Sequence, residues 1–339
     1  MSVPVISVVL PLYNDAETIG GVLDGLAHQA EGTPPFEIVV IDDGSKDNGP
    51  QIARDRGARV ITQANAGPAR ARNRGAEEAQ SDVVLFLDSD CVPPSDWVAR
   101  MSAPLIGETG FDAVVGTIRP ANDGIVPRLV QCEVEDRYRG MQACSGQAVD
   151  FIAAPSCGMR RAVFLAIGGF DVTLRQAEDV EIAYRLEANG HRIAFVCDVP
   201  VAHAHQTGFM EFMRVKYRRA VGRFTVFHMH PCKRSADNWT PMAFKVQFLL
   251  IALGVVLIPV GLVWYGGTCV GATLILGAPL LTLPLVRSIA TGLHGLTSKP
   301  AAIGVAWSFV IGRGLAIFAA LLVYKLSCLR RAARTEAVP

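Results

Sequence analysis

The chain changes its hydrophobic patterning once, near Thr240. Before that point, short β-branched runs alternate with amphipathic stretches. The strand-like runs are residues 5–10, 36–41, 59–62, 83–87 and 113–118, with a later one at 193–196. Helical patterns lie between them at 16–29, 48–56, 68–79 and 96–101. This alternation predicts an α/β fold, with a mainly parallel sheet covered by helices on both faces. The run 83–87 is too apolar for an edge strand. The acidic residues after it therefore fall at the carboxyl end of the sheet, where open α/β sheets bind ligands.

Beyond Thr240 the alternation gives way to long apolar runs. Residues 244–265 are apolar apart from Lys245 and Gln247, and about 20 such residues span a bilayer. Residues 268–286 form a second candidate and contain Pro279 and Pro284, which a membrane helix tolerates better than a soluble one. Residues 301–326 are similar but carry Arg313 near their middle. A charge at the bilayer centre costs roughly 3 kcal/mol on insertion scales, so this segment is expected at the interface or inside a bundle. The predicted organisation is an α/β domain over 1–235 and a membrane region over 241–339.

Charge sharpens that division. Residues 1–240 hold 24 Lys+Arg against 30 Asp+Glu, and residues 241–339 hold 8 against 1. Basic residues flanking apolar runs suit membrane lipids at a cytoplasmic face and argue against nucleic acid. With Lys325, Arg330, Arg331 and Arg334 on the same side as the α/β domain, the span count is even, and two full spans fit best. The opening apolar run lacks a basic flank and reads as a first strand rather than a signal peptide. The eight cysteines include no CxxC pair, which favours reduced, buried thiols over a disulfide framework.

Candidate chemistry gathers at the strand ends. The first ends in Pro11-Leu12-Tyr13-Asn14-Asp15, either a helix-capping turn or part of a base-binding wall through Tyr13. The second ends in Asp42-Asp43-Gly44-Ser45, adjacent carboxylates that repel unless something faces them; one can cap a helix and the other accept from a nucleobase or ribose. Next comes Asn65-x-Gly67, then a helix start carrying Arg70, Arg72 and Arg74, with positive potential suited to phosphate. Arg70 and Arg74 share a face and read as surface partners of Glu77 or Glu78, whereas Arg72 projects elsewhere. Asp88-Ser89-Asp90 ends the apolar strand. Alternation would send both carboxylates to one side, spacing that suits Mg²⁺ or Mn²⁺ bridging to a diphosphate, although helix-capping aspartates would look the same. Further on, Gly168-Gly169-Phe170-Asp171 is a turn, and Glu178-Asp179 opens a helix. There the dipole alone favours acids, while a general base for an acceptor hydroxyl is the functional alternative.

Together and in this order, these clusters resemble the inverting family 2 glycosyltransferases of GT-A fold, over roughly residues 4–205. The matching elements are Pro11–Asn14, Asp42–Ser45, Asn65-x-Gly67 with Ala71-Arg-Asn-x-Gly75, Asp88-Ser-Asp90, Gly168–Asp171 and Glu178-Asp179. The resemblance implies that Pro11, Tyr13, Asp43 and Arg72 hold the nucleotide of a nucleotide-sugar donor, by default a UDP-sugar, with Asp42 as a close alternate. It implies that Asp88 meets ribose and metal, that Asp90 is the principal ligand of Mn²⁺ or Mg²⁺, and that Asp179, beside Glu178, deprotonates the acceptor. His203 is a candidate third ligand on the same ground; the alternative is that His203 and His205 are ordinary polar loop residues. No Gln-x-x-Arg-Trp motif follows the base, which disfavours processive polymer synthesis. Arg218, Arg219 and Arg223 read as phosphate contacts or as headgroup contacts.

The expectation is a glycosyltransferase acting on a lipid-linked or glycan acceptor at the cytoplasmic membrane. A sugar nucleotidyltransferase shares the α/β plan, but no basic Gly-rich loop for a triphosphate follows the first strand. A non-catalytic membrane scaffold would be expected to lose acidic ligands, yet Asp88, Asp90, Glu178 and Asp179 are present.

Overall fold

The computed structural model describes residues 5–142, 148–234, 242–260, 265–293 and 296–336. Residues 235 and 241, bounding the two expected domains, and 261–264 of the first apolar segment lie outside them, as do the side chains of Arg330, Arg331 and Arg334. The elements begin β1 (Ile6–Leu12), α1 (Ile19–Ala27), β2 (Phe36–Asp42), α2 (Gly49–Asp55), β3 (Arg59–Thr62), α3 (Pro68–Glu78), β4 (Val83–Leu87), β5 (Cys91–Val92) and α4 (Trp97–Ser102). They continue with β6 (Ala113–Val115), β7 (Ile118–Pro120), α5 (Ile125–Gln142), β8 (Ser156–Arg160), α6 (Arg161–Ala166), α7 (Glu178–Ala188), β9 (Ile193–Phe195) and β10 (Val201–His203). Five helices follow: α8 (Phe209–Met229), α9 (Met242–Val260), α10 (Tyr265–Gly277), α11 (Leu283–Gly292) and α12 (Lys299–Glu336).

The chain forms two compact units, one of residues 1–122 and 138–204 and the other of residues 123–137 and 205–339. The patterning and charge change at Thr240 thus falls inside the second unit.

The first unit is the expected mainly parallel α/β fold. Seven strands run in the order β3-β2-β1-β4-β8-β6-β9, and a three-stranded sheet runs β5-β10-β7. β1 pairs in parallel with β2 and β4, while β8 lies antiparallel between β4 and β6. Every residue of β1 and β4 is buried, as continuous apolar runs require of strands covered on both faces. One face packs Ile6, Val8, Leu10 and Leu12 against Leu23, Leu26 and Trp97. On α3, a Cβ at Gly75 would lie 2.2 Å from Val9 Cγ1; the glycine lets this helix lie directly on β1.

Two details differ from the sequence reading. The run 113–118 is two strands in different sheets, β6 and β7. They part at Gly116, where a Cβ would sit 2.5 Å from Ser156 Oγ, so the backbone there serves close packing rather than a continuous ladder. β4 also stops at Leu87, and the Cys91 amide bonds the Asp88 carbonyl at 3.1 Å. Asp88-Ser89-Asp90 therefore lies in a turn, where strand alternation does not govern direction.

Among the described residues, the second unit contains three helical stretches long and apolar enough to cross a membrane: Met242–Val260, Gly267–Gly292 and Lys299–Cys328. Length and composition thus give three candidates, against the two favoured by the charge pattern. The middle stretch is broken by a 3-10 turn at Ala278–Thr282, beside Pro279 and Pro284. Arg313 packs inside this unit. It is 4% exposed, donates to Gln247 Oε1 at 2.9 Å and Glu133 Oε1 at 3.4 Å, and lies 4.2 Å over the Phe244 ring. Glu133 also pairs with Lys216 and Arg137, each at 2.6 Å. A charge costly in lipid is answered by partners on neighbouring helices.

Candidate active site

The carboxyl ends of β1, β2 and β4 carry three of the acidic clusters, and the start of α7 carries the fourth. Pro11 is buried in β1 opposite Ile41. The β1–β4 pairing ends at Val9–Phe86, so the missing proline N–H breaks no bond on that side. Tyr13 is 46% exposed and leaves a ring face open beside the next turn. Asn14 takes φ 56°, a left-handed conformation that Asn adopts more readily than most residues. Its amide donates to Ser45 Oγ at 3.1 Å, and its side chain accepts from the Lys46 amide at 2.8 Å. The first turn is thereby stitched to the second.

Asp42 and Asp43 are both buried and separate by role. Asp42 accepts from the Ser45 amide at 2.8 Å. Asp43 accepts from Gln63 Nε2 at 2.8 Å and from the amides of Ala66 and Gly67 at 2.9 and 2.8 Å. Asp43 thus fixes the loop that opens α3, where Gly67 takes φ 92°, and not the helix near Lys46. Arg74 pairs with Glu78 on the surface, as its spacing implies.

Arg72 points inward. Its side chain is 4% exposed, with Nη2 2.5 Å from Asp88 and Nη1 3.1 Å from Glu178. The guanidinium also lies 5.7 Å over the Phe170 ring. Burial opposes its charge, but the two carboxylates outweigh that and hold it firmly protonated. One buried cation, itself 106 residues from Glu178 in sequence, therefore ties the carboxyl end of β4 to the amino end of α7.

Glu178 and Asp179 follow Ala177, a non-glycine residue at φ 67°. Burial and the adjacent Asp179 push the Glu178 carboxyl above its ordinary range, with Arg72 opposing. Asp179 accepts from the Val180 amide at 2.8 Å and the Ala154 amide at 3.4 Å. Cys157 lies within electrostatic reach of Arg72, Asp88, Asp179 and Glu178; burial pushes its thiol up and keeps it protonated. Asp88, Glu178 and Asp179 thus share one neighbourhood.

Asp90 meets a different partner from Asp88. Its side chain is 41% exposed, and its Oδ2 lies 3.4 Å from His203 Nε2. Burial raises the Asp90 carboxyl, but the His203 hydrogen bond and charge outweigh it and leave the group below its ordinary range. The two meet because β5 pairs antiparallel with β10, setting Cys91 opposite His203. Ligand atoms of Asp90, Cys91 and His203 lie within 4.8 Å of one another. Burial pushes the Cys91 thiol well above its ordinary range, and Asp90 and His203 bring a carboxylate and an imidazole to the same group. His205 belongs elsewhere: it is buried in the second unit, with Nε2 3.0 Å from Gln131 Oε1. On α8, Arg218 and Arg219 are exposed, and Arg223 lies 5.1 Å over the Phe227 ring.

Residues 7–168 match the signature of Glycosyl transferase family 2. The domain belongs to that family. Among curated relatives, glycosyltransferase AglE of Haloferax volcanii is 28% identical over 235 residues, covering 67% of this chain and 75% of that protein. The undecaprenyl-phosphate 4-deoxy-4-formamido-L-arabinose transferase of Serratia proteamaculans is 34% identical over 122 residues, 34% of this chain and 36% of that protein. Among solved structures, mannosyltransferase PcManGT from Pyrobaculum calidifontis, in complex with GDP-Man and Mn²⁺, aligns with a TM-score of 0.57 at 20% identity. That alignment covers 94% of this chain and 86% of the mannosyltransferase, and it supports the GT-A fold of the glycosyltransferase domain.

Some supporting residues carried a sequence signal without a role. Asn73, inside the Ala71–Gly75 match, brackets Phe170: Nδ2 donates to the Phe170 carbonyl and Oδ1 accepts from its amide, both at 2.8 Å. A Cβ at Gly169, φ 66°, would lie 2.6 Å from Asn73 Oδ1, so this turn requires glycine. Arg185 donates to the carbonyls of Ile167 and Gly169 at 2.5 and 2.6 Å while pairing with Glu181. Only its spacing from Glu181 was readable in advance. These clamps fix the turn that places Phe170 beneath Arg72.

Proposed function

We propose that this glycosyltransferase moves a single sugar, with inversion, from a nucleoside-diphosphate donor to a lipid-linked or membrane-proximal acceptor at the cytoplasmic face of the inner membrane. The observation that carries the reading is the Arg72 bridge, which joins Asp88 on the donor side to Glu178 beside the base. Tyr13, with Pro11 beneath it, lines the nucleotide side, and Asp42 and Asp43 shape the loops around the base and ribose. A UDP-sugar is the default donor. Arg72 acts on the nucleotide through Asp88, whose carboxylate it orients.

Asp90 and His203, with Asp88, would hold the divalent cation. A carboxylate-rich set with one imidazole suits Mn²⁺ better than Mg²⁺. When bound, that ion would neutralise charge on the departing diphosphate. Asp179 takes the proton of the acceptor hydroxyl as its oxygen attacks the anomeric carbon and the bond to the diphosphate oxygen breaks. Glu178, held by Arg72, keeps the first turn of α7 in place for that transfer. The relative named for undecaprenyl phosphate and the three apolar stretches support a membrane-bound acceptor. The basic tail supports the cytoplasmic side.

The test is release of nucleoside diphosphate from a panel of UDP- and GDP-sugars by the full chain in detergent, with and without Mn²⁺. Wild type should require the ion, and Asp90→Ala should lose at least a hundredfold in rate. Equal rates for the two proteins would refute the metal assignment.

A further inference from the structure

We infer that Asp15 and Ser89 form a positioning pair that holds the Asp88-Ser89-Asp90 turn in shape for a divalent cation; this rests on the metal reading above. Backbone pairing between β1 and β4 stops at Val9–Phe86, short of the turn. Beyond it, Ser89 Oγ donates to Asp15 Oδ2 at 2.5 Å, and Ser89 is 5% exposed. On its other flank the turn is held by the β5–β10 pairing at Cys91–His203. The central residue of the motif is therefore fixed by a side chain from a different strand end, while Asp88 and Asp90 point away to Arg72 and His203.

Asp15 is itself immobilised. Its carbonyl accepts from the amides of Thr18 and Ile19 at 3.1 and 3.0 Å, which starts α1. The next amide, Ala16, donates to Asp47 Oδ2 at 2.8 Å, and Asn14 is bonded to Ser45 and Lys46 on either side. Hydrogen bonds thus tie the 42–47 loop to residues 14–16, and Asp15 in turn to Ser89, the residue between the two carboxylates in the chain. The charged groups whose interaction with Asp15 is resolved are Asp90 and Asp47, both acidic. A half-buried carboxylate set among carboxylates adds negative potential that a cation at Asp90 would relieve. Groups that orient metal ligands without touching the ion commonly govern affinity by 10–100-fold.

The experiment measures the Mn²⁺ dissociation constant of the full chain in detergent from the electron paramagnetic resonance signal of free Mn²⁺, which needs no turnover. Ser89→Ala and Asp15→Ala should each weaken Mn²⁺ about 10–100-fold, with melting temperatures within a few degrees of wild type. Ser89→Thr, which keeps the hydroxyl, should bind within about threefold of wild type. Unchanged Mn²⁺ affinity in both alanine variants would overturn the pair, as would a threonine variant as weak as the alanine one. A wild type that binds no Mn²⁺ would instead remove the metal reading on which the pair depends.

Discussion

The two compact units handle buried charge in opposite ways. In the first, carboxylates predominate: Asp15, Asp88, Asp90, Glu178 and Asp179 gather near Arg72 and His203. They sit on turns and helix starts, and Asp90 keeps 41% of its side chain exposed. In the second, cations predominate: Arg137, Lys216 and Arg313 converge on Glu133, whose side chain is 1% exposed. Gln247 and Thr282 extend that cluster to two more helical segments. On the proposed function, the difference separates charge kept for a ligand from charge sealed between helices to hold them. Similar residue types form both clusters, with Arg72 and Arg313 equally buried, and the first differs in reaching the surface through Asp90.

The sharpest way to break the comparison is at the base. Asp179→Asn should retain donor binding and lose transfer by roughly 10²–10⁴-fold, read as a fall in kcat with KM for the donor little changed. Full turnover by that variant would leave the first unit's acidic cluster without its catalytic member.

Next in size is a matched pair of substitutions, Arg72→Gln and Glu133→Gln. Each removes one partner from a buried ionic cluster, which destabilises a protein by about 3–5 kcal/mol. Thermal melting in detergent should fall for both. Only Arg72→Gln should also depress nucleoside-diphosphate release per folded molecule. If Glu133→Gln abolished turnover while its melting temperature held, the sealed cluster would have a chemical role.

How much of this was legible beforehand follows the range of each interaction. Strands and helices of the first unit were visible in local periodicity, and the motifs at their ends gave Asp42, Asp43, Asp88, Asp90, Glu178 and Asp179 as candidates. What those side chains touch was not visible. Asp43 binds the amides of Ala66 and Gly67 rather than a neighbouring helix start, and Arg72 reaches 106 residues to Glu178. The 83–87 pattern matched its strand, but the alternation argument carried it past Leu87 to Asp88 and Asp90, which lie in a turn, and the register of β5 with β10 brings His203 to Asp90. In the apolar C-terminal region the Arg313 puzzle was legible. Its answer was not, because Glu133 lies 180 residues away on a helix with no marked apolar run.

A smaller effect concerns the helix packing itself. A Cβ at Gly254 would lie 2.7 Å from the Gly271 carbonyl oxygen, and one at Gly271 would lie 2.7 Å from that of Gly254. Small residues at such crossings let membrane helices approach closely. Gly254→Leu should therefore cost about 1–3 kcal/mol by overpacking, seen as a lower melting temperature with the rate per folded molecule unchanged.

The smallest effect is on pH. Burial, with Arg137 and Arg219 nearby, pushes the Lys216 ammonium down to about 7 against the pull of Glu133. Its folded value lies below its unfolded one, so the unfolded chain binds more protons between the two and stability rises with pH across that window. The melting temperature should climb by a few degrees from pH 7 to pH 9, and Lys216→Met should flatten the climb. An equal slope in the variant would assign the dependence to another group.

The most direct measurement locates the ion. Anomalous scattering from Mn²⁺ in crystals of the chain grown with UDP should place one ion against the Asp90 carboxylate and the His203 ring, on the same side of the sheet as Arg72 and Asp179. An ion bound away from the Asp88–Asp90 turn, or none beside the diphosphate, would contradict the account.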